Sequence, residues 1–388
     1  MISVDSSRFI DAAGNENTAG SITLAVDTVV PTISISSSDV ALKAGEEAQV
    51  TFTLSEPSTE FTSEDITVTG GTIKDFSGSG ASYTATFTPD ANSNVDGVIS
   101  VDSSRFIDAA GNENTAGSIT LGVDTVVPTI SISSSDVALK AGEEAQVTFT
   151  LSEPSTEFTS EDITVTGGNI TDFSGSGTSY TATFTPDANS NVDGVISVDS
   201  SRFIDAAGNE NTAGSITLAV DTVVPTISIS SSDVALKAGE EAQVTFTLSE
   251  PSTEFTSEDI TVTGGTIKDF SGSGASYTAT FTPDANSNVD GVISVDSSRF
   301  IDAAGNENTA GSITLGVDTV VPTISISSSD VALKAGEEAQ VTFTLSEPST
   351  EFTSEDITVT GGNITDFSGS GTSYTATFTP DANSNVDG

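Results

Sequence analysis

The sequence predicts an all-β chain, a tandem array of immunoglobulin-like seven-stranded β-sandwich domains set end to end. Three observations predict it. The text repeats with a period of 97 residues. Nearly every apolar run alternates with polar residues at period two, the pattern of a half-buried strand. Turn words separate these runs at spacings of about 8–12 residues, the rhythm of a two-sheet sandwich.

The elements follow in order through the first full unit. Thr32-Ile33-Ser34-Ile35 alternates, and so does Val50-Thr51-Phe52-Thr53-Leu54, with Ala44-Gly45 as the turn between them. Ile66-Thr67-Val68 comes next, closed by Gly70-Gly71. Ser77-Gly78-Ser79-Gly80 precedes Tyr83-Thr84-Ala85-Thr86-Phe87. Ile99-Ser100-Val101 and a last run equivalent to Ile22-Thr23-Leu24-Ala25-Val26 end the unit. Val, Ile, Thr and Phe suit a pleated, half-buried surface, whereas Gly and Asn break it. No stretch keeps a 3.6-residue period long enough for a helix of three turns. With no Cys and no Trp, the core must be built from Phe, Ile, Val and Leu, with Phe52, Tyr83, Phe87 and Phe106 as its large members.

The repeat sets the domain plan. ISVDSSRF begins at Ile2, Ile99, Ile196 and Ile293. Neighbouring units differ at few places: Ala25 becomes Gly122, Thr72 becomes Asn169, Lys74 becomes Thr171 and Ala81 becomes Thr178. Such a unit has the usual size of one small domain. The clearest punctuation is Val123-Asp124-Thr125-Val126-Val127-Pro128, because proline cannot donate to a sheet ladder and suits a strand start or a linker. Domains therefore start at Asp27, Asp124, Asp221 and Asp318, giving full repeats at 27–123, 124–220 and 221–317. Residues 1–26 then read as the last two strands of a truncated domain, and 318–388 as a repeat lacking those two strands. The array reads as a window on a longer one. Where the ends are free, the C-terminal fragment of one molecule is expected to accept the N-terminal hairpin of the next, in head-to-tail chains.

Composition excludes several functions. A net charge of −46, with 56 acidic residues against 10 basic ones, excludes nucleic acid as a partner, since phosphates demand a basic footprint. No run approaches the about 18 apolar residues of a membrane span, so no membrane insertion is expected in this segment. With no His and no Cys there is neither the commonest general base nor a thiol nucleophile. The carboxylates lie in polar loops without aromatic sugar platforms, and no enzyme is expected.

The words VDTVVPTISISS, LKAGEEAQVTFTLSEPS, SYTATFTP and FIDAAGNEN resemble the bacterial immunoglobulin-like extender repeats of giant calcium-dependent repeats-in-toxin adhesins. They are similar to those of marine bacterial and ice-binding adhesins. The resemblance covers every unit. It implies an extracellular protein of the bacterial cell surface, with calcium at the domain junctions stiffening a stalk. It also implies that the linker Asp124 and the DAAGN words at Asp205 and Asn209 form the junction site. Their copies are Asp27, Asp221 and Asp318 in the linkers, with Asp11 and Asn15, Asp108 and Asn112, Asp302 and Asn306 in the loops. The glycine- and aspartate-rich nonapeptides that name the secretion class do not occur here, nor does a recognisable ligand-binding module. The resemblance thus points to a stalk segment.

Strand alternation places the acidic loops. If each strand reverses the last, the second-to-third and sixth-to-seventh strand loops share the N-terminal pole of a domain. For the domain starting at Asp124 these loops bring Glu153 and Asp162 together with Asp205 and Asn209. The far pole of the domain before it brings Asp90, Asn92, Asn94 and Asp96. The equivalents are Asp187, Asn189, Asn191 and Asp193; Asp284, Asn286, Asn288 and Asp290; Glu250 and Asp259; and Glu347 and Asp356. Bare carboxylates so close would repel, because screening at ~0.15 M salt extends over about 8 Å. A divalent cation converts that repulsion into a bridge.

The donor chemistry selects the ion. Calcium takes about 6–8 oxygen ligands in tolerant geometry, while zinc and copper favour nitrogen and sulfur. Asn92-x-Asn94-x-Asp96-Gly97 resembles the first half of a calcium loop with glycine at its sharp turn. The same residues also suit a plain Asx-rich turn, and both readings stand. Two function classes remain: a calcium-rigidified extender that projects a distal binding domain from the cell, and an adhesive module that itself binds glycans or partner cells. Near-identical units with few exposed aromatics favour the extender, since a binding surface needs anchors.

Overall fold

Period-two alternation decides which face of each strand is buried, and the structure carries it out residue by residue. In the computed structural model, which describes residues 1–383, 385 and 386, the second alternating run is typical. Ala48, Val50, Phe52 and Leu54 point into the core while Gln49 and Thr53 face solvent. Residues 384, 387 and 388, which include the last aspartate of the fourth acidic loop, lie outside the described residues.

The N-terminal hairpin pairs β1 (Ile2–Val4) with β2 (Gly20–Ile22). The first full repeat then runs β3 (Ile33–Ser37), β4 (Ala41–Lys43), β5 (Ala48–Ser58), a 3-10 turn at Ser63–Asp65, β6 (Ile66–Thr69), β7 (Gly71–Pro89), β8 (Gly97–Val101) and β9 (Gly117–Asp124). Two sheets result. One is three-stranded in the order β3-β5-β7, the other four-stranded in the order β4-β9-β8-β6. All pairs are antiparallel except β4 with β9, which is parallel. The first strand of the sandwich thus leaves one sheet after Ser37 and joins the other at Ala41.

β7 is extended over 19 residues, longer than the single short strand expected there. It doubles back on itself about Gly80: Ser77 Oγ lies 3.4 Å from Thr84 Oγ1, and the Phe76 and Tyr83 rings stack at 5.6 Å. The chain therefore climbs through β6, descends, and climbs again beside β5. This keeps the β5–β6 and β8–β9 connections at one pole and the β7–β8 loop at the other.

The core is aromatic at one end. Phe61 packs against Phe52, Phe76, Tyr83 and Phe106 with ring centroids 5.1–5.7 Å apart, within the range of favourable tilted pairs. Tyr83 donates its hydroxyl to Ser58 O at 2.8 Å, so its one polar atom is satisfied inside. The repeats at 124–220 and 221–317 reproduce the same two sheets and the same core. Among the described residues of the fourth repeat one sheet forms, three-stranded, from Ile324–Ser328, Ala339–Ser349 and Gly362–Pro380. The chain divides into two compact units, Met1–Thr222 and Val223–Gly388.

Candidate metal centre

Three carboxylates meet at one pole of each of the first two full repeats: Asp27, Glu56 and Asp108, and then Asp124, Glu153 and Asp205. Within each trio one oxygen from every residue lies within 4.8 Å of the others. Separate elements deliver them. Asp124 closes the strand Gly117–Asp124 and leads into the linker. Glu153 does not sit in a loop, as its place in the sequence suggested. It lies inside the strand Ala145–Ser155, where the pairing register shifts between Thr150 and Ser155. A bulge re-aims a side chain that regular alternation would send elsewhere, and Pro154, which lacks an N–H, occupies that irregular stretch.

Asp205 is held by its own loop. Its Oδ1 accepts from Ala207 N at 2.8 Å and Asn209 N at 2.9 Å, and its Oδ2 accepts from Asn209 Nδ2 at 2.9 Å. The five residues 205–209 fold into a ring that fixes the carboxylate. Asp108, the same residue one repeat earlier, is drawn below the ordinary carboxylate value, first by the Asn112 side chain and then by backbone N–H groups. The glutamates move the other way. Burial, then the charges of Asp124 and Asp205, push Glu153 up. Burial, Asp27 and Asp108 do the same to Glu56. One crowded site thus holds an aspartate tuned to stay ionised and a glutamate penalised for it. The donors are all oxygens, the trio is acidic, and a metal ion could be held there; hard, oxygen-seeking cations match it.

Beside the trio is a direct contact between repeats. Asn209 Oδ1 accepts from Ala44 N at 2.7 Å, and Lys43 Nζ donates to Gly208 O at 3.1 Å. Asn209 Nδ2 also donates to Asp124 O at 3.0 Å. A single buried amide therefore ties the preceding repeat, the linker and the Asp205 loop together. The lysine and alanine that make this contact carry no signal of it in the sequence.

The other expected ligands lie elsewhere. Asp162 accepts from Thr159 N at 2.7 Å and from Thr159 Oγ1, capping the 3-10 turn; Asp259 and Asp356 do the same with Thr256 and Thr353. Asp90, Asn92, Asn94 and Asp96 lie on an exposed loop, as do Asp187 to Asp193 and Asp284 to Asp290. Among the described residues these loops contribute to no acidic trio. A buried threonine holds the loop. Thr125 Oγ1 donates to Asp90 O at 2.7 Å and accepts from Ser93 N at 2.9 Å. Its own N–H donates to Ser93 O. Thr222 repeats this with Asp187 and Ser190. Asp11 and Asn15 form the same ring as Asp205 and Asn209, exposed in the N-terminal hairpin. Asp302 and Asn306 form it in the third repeat, where Glu250 lies in the same shifted stretch of strand. Glu347 keeps that place in the fourth. Asp221 and Asp318 each end a strand.

Sequence reasoning missed Glu56, although the repeat alone makes it the equivalent of Glu153 one unit earlier. It also missed Asn114 and Asn211. Asn211 Oδ1 accepts from Arg202 N and Phe203 N, and its Nδ2 donates to Asp199 O and Thr212 O. This plug shapes the loop that carries Asp205.

No curated protein matches the sequence. Among solved structures, the Escherichia coli adhesin FdeC is similar at 16% identity, over 76% of this chain and 99% of its own, with a TM-score of 0.31. Titin domains I67–I69, in an E-to-A variant, align over 74% of this chain and 98% of theirs at 11% identity and a TM-score of 0.35. The Yersinia pseudotuberculosis adhesin InvE aligns over 54% of this chain and 66% of its own at 14% identity and a TM-score of 0.23. The profile of the bacterial Ig-like domain matches at 27–123, 124–220, 221–317 and 318–388. This chain is a tandem member of the bacterial Ig-like domain family.

Proposed function

We propose that the chain is an extender segment of a large bacterial surface adhesin, stiffened by calcium at the junctions between repeats. The observation that carries this reading is the Asp124, Glu153 and Asp205 trio standing beside the Asn209 amide that bonds the preceding repeat. Calcium bound by the three carboxylates would lock the Asp205 loop. Through Asn209 it would lock the preceding repeat as well. The chain's own residues do the rest. Asn209 orients the aspartate, Lys43 supplies a cationic tether to Gly208 O, and Thr125 anchors the linker to the Asp90 loop. Support also comes from composition, because the acidic excess leaves bare junctions repulsive.

Thermal unfolding in EDTA and across a calcium series tests the proposal. A rise in melting temperature that saturates with calcium is expected. Curves that coincide with and without the ion would remove calcium from the function. Calcium sites of extracellular modules bind at about 10⁻⁴–10⁻³ M. At a hundredfold excess over the dissociation constant one site adds ~2.7 kcal/mol.

A further inference from the structure

The repeats at 27–123 and 124–220 differ at four positions, and three of the four lie on one hairpin, β7 and its copy Gly168–Pro186. Thr72, Lys74 and Ala81 of the first repeat correspond to Asn169, Thr171 and Thr178 of the second. Two of these differences act as a pair. Neither alone makes a motif, whereas together they give Asn169-Ile170-Thr171, an Asn-X-Thr acceptor for N-linked sugar. The pair returns as Asn363-Ile364-Thr365, and the chain holds Asn-X-Ser/Thr nowhere else. We propose that the repeats at 124–220 and 318–388 are N-glycosylated, at Asn169 and Asn363, on the open edge of their three-stranded sheet.

The fold presents the acceptor. Asn169 and Thr171 both face solvent from an extended strand, while Ile170 between them turns to the core. The second limb of the hairpin pairs with Ala145–Ser155, from Ser179 to Phe184. The first limb, which carries Asn169, is then the outer one, and among the described residues no further strand joins that side of the sheet. Other asparagines are committed inside the fold: Asn209 and Asn211 are buried and bonded in their loop.

An open edge needs a guard, because its unpaired N–H and C=O groups template pairing with another strand. Near-identical neighbours raise the hazard, since misassembly between domains is a characteristic failure of repeat proteins. In the first repeat the guard is Lys74, which reaches Glu47 at 2.7 Å. In the third it is Lys268, 2.6 Å from Glu241. The second repeat has Thr171 in that place, bonded to Asp172 at 3.2 Å. A lysine is thus exchanged for half of a sugar acceptor at the same edge. A bulky, solvated glycan blunts an edge as a charged side chain does.

The reaction is a glycosyl transfer from an activated sugar phosphate, nucleotide-linked or lipid-linked. The anomeric C–O bond of the donor breaks and a C–N bond to Asn169 Nδ2 forms. The phosphate leaves with the electron pair of the broken bond and takes up the proton that the amide gives away. A transferase catalyses the step, and Thr171 Oγ1 is the hydroxyl it reads.

Tryptic peptide mass mapping of the full chain, isolated from the cells that naturally make it, tests this with a readout that does not depend on calcium. Cleavage after Lys140 and Arg202 isolates Asn169 in the peptide 141–202. That peptide should carry added sugar mass, localised by fragmentation to Asn169. A single sugar indicates a nucleotide-linked donor, and a preassembled oligosaccharide a lipid-linked one. The peptides 44–74 and 75–105 of the first repeat should carry none. Asn169→Gln and Thr171→Val should each abolish the addition, and Thr171→Ser should keep it. Thr72→Asn combined with Lys74→Thr should create a new site in the first repeat. All of these side chains are exposed, so each variant keeps its fold. A bare 141–202 peptide from those cells would overturn the proposal. So would sugar that survives Thr171→Val, or a first repeat that stays bare in the combined variant.

Discussion

Ala44 and Asn209 are 165 positions apart in sequence and joined by a 2.7 Å hydrogen bond from backbone N–H to side-chain oxygen. That bond places the Asp205 loop of one repeat against the β4–β5 turn of the one before it. Asn209 accepts that bond through Oδ1 and donates from Nδ2 to Asp205 Oδ2 and Asp124 O, so junction geometry and carboxylate geometry share one side chain.

Replacing Asn209 with Ala should therefore loosen the junction and the loop together. Leaving buried partners unsatisfied costs about 1–3 kcal/mol. Thermal unfolding should show the loss, and amide exchange should localise it to Ala44 and Ala207. A variant with wild-type exchange at Ala44 would show that the bond contributes nothing.

Acidity should have opposite effects on the two kinds of carboxylate. Glu153 and Glu56 lie above their ordinary 4.5, so the folded state holds those protons more tightly than the unfolded one. Without divalent cations, stability should rise as pH falls through the raised values and level off below 4.5. Asp108 lies below its ordinary 3.8; its contribution is present above 3.8 and is lost as pH falls further. The combined E56Q/E153Q/E250Q chain should lose the first effect and keep the second. Melting temperature against pH in EDTA reads both, and identical profiles for the two chains would refute the assignment.

The Thr222 hydroxyl bridges Asp187 O and Ser190 N from a buried position. Thr222→Val keeps the shape and removes the hydroxyl's bonds to Asp187 O, Ser190 N and Ser190 O, at an expected cost of about 1–3 kcal/mol. Thr222→Ser should recover most of it. Equal melting temperatures for the valine and wild-type chains would show that the linker is held by packing alone.

Gly194 faces the Phe184 ring, and a Cβ built there would lie 2.4 Å from Phe184 Cζ. Gly194→Ala should overpack the core and cost about 1–3 kcal/mol. Chemical denaturation checks it, and a neutral result would mean the ring has room to move.

The strands and the repeat were legible because both are periodic, and periodicity survives in sequence. Phe52, Phe87 and Tyr83 are buried where the alternation of their strands places them, and Phe106 is buried from the loop between β8 and β9. The acidic pole was legible in part. Strand reversal alone put Glu153 and Asp205 at the same end. It could not show that a bulge aims Glu153, because a register shift depends on the partner strand. The Asp90 loop was ambiguous for a related reason. Asp, Asn and Gly at alternate positions describe a calcium loop and an Asx turn equally well, and the residue that orders this loop, Thr125, lies 35 positions away. The Lys43 and Ala44 contacts use backbone groups and a lysine stem, which composition does not mark.

The most direct test of calcium stiffening is amide exchange at Ala44 in the full chain, measured in EDTA and in saturating calcium. Its N–H is donated across the junction to Asn209, so it exchanges when the junction opens. Calcium should slow that exchange severalfold or more in the wild type and leave it unchanged in a chain carrying E153Q and D205N. Equal exchange at Ala44 with and without calcium, in a chain that binds the ion, would contradict the account.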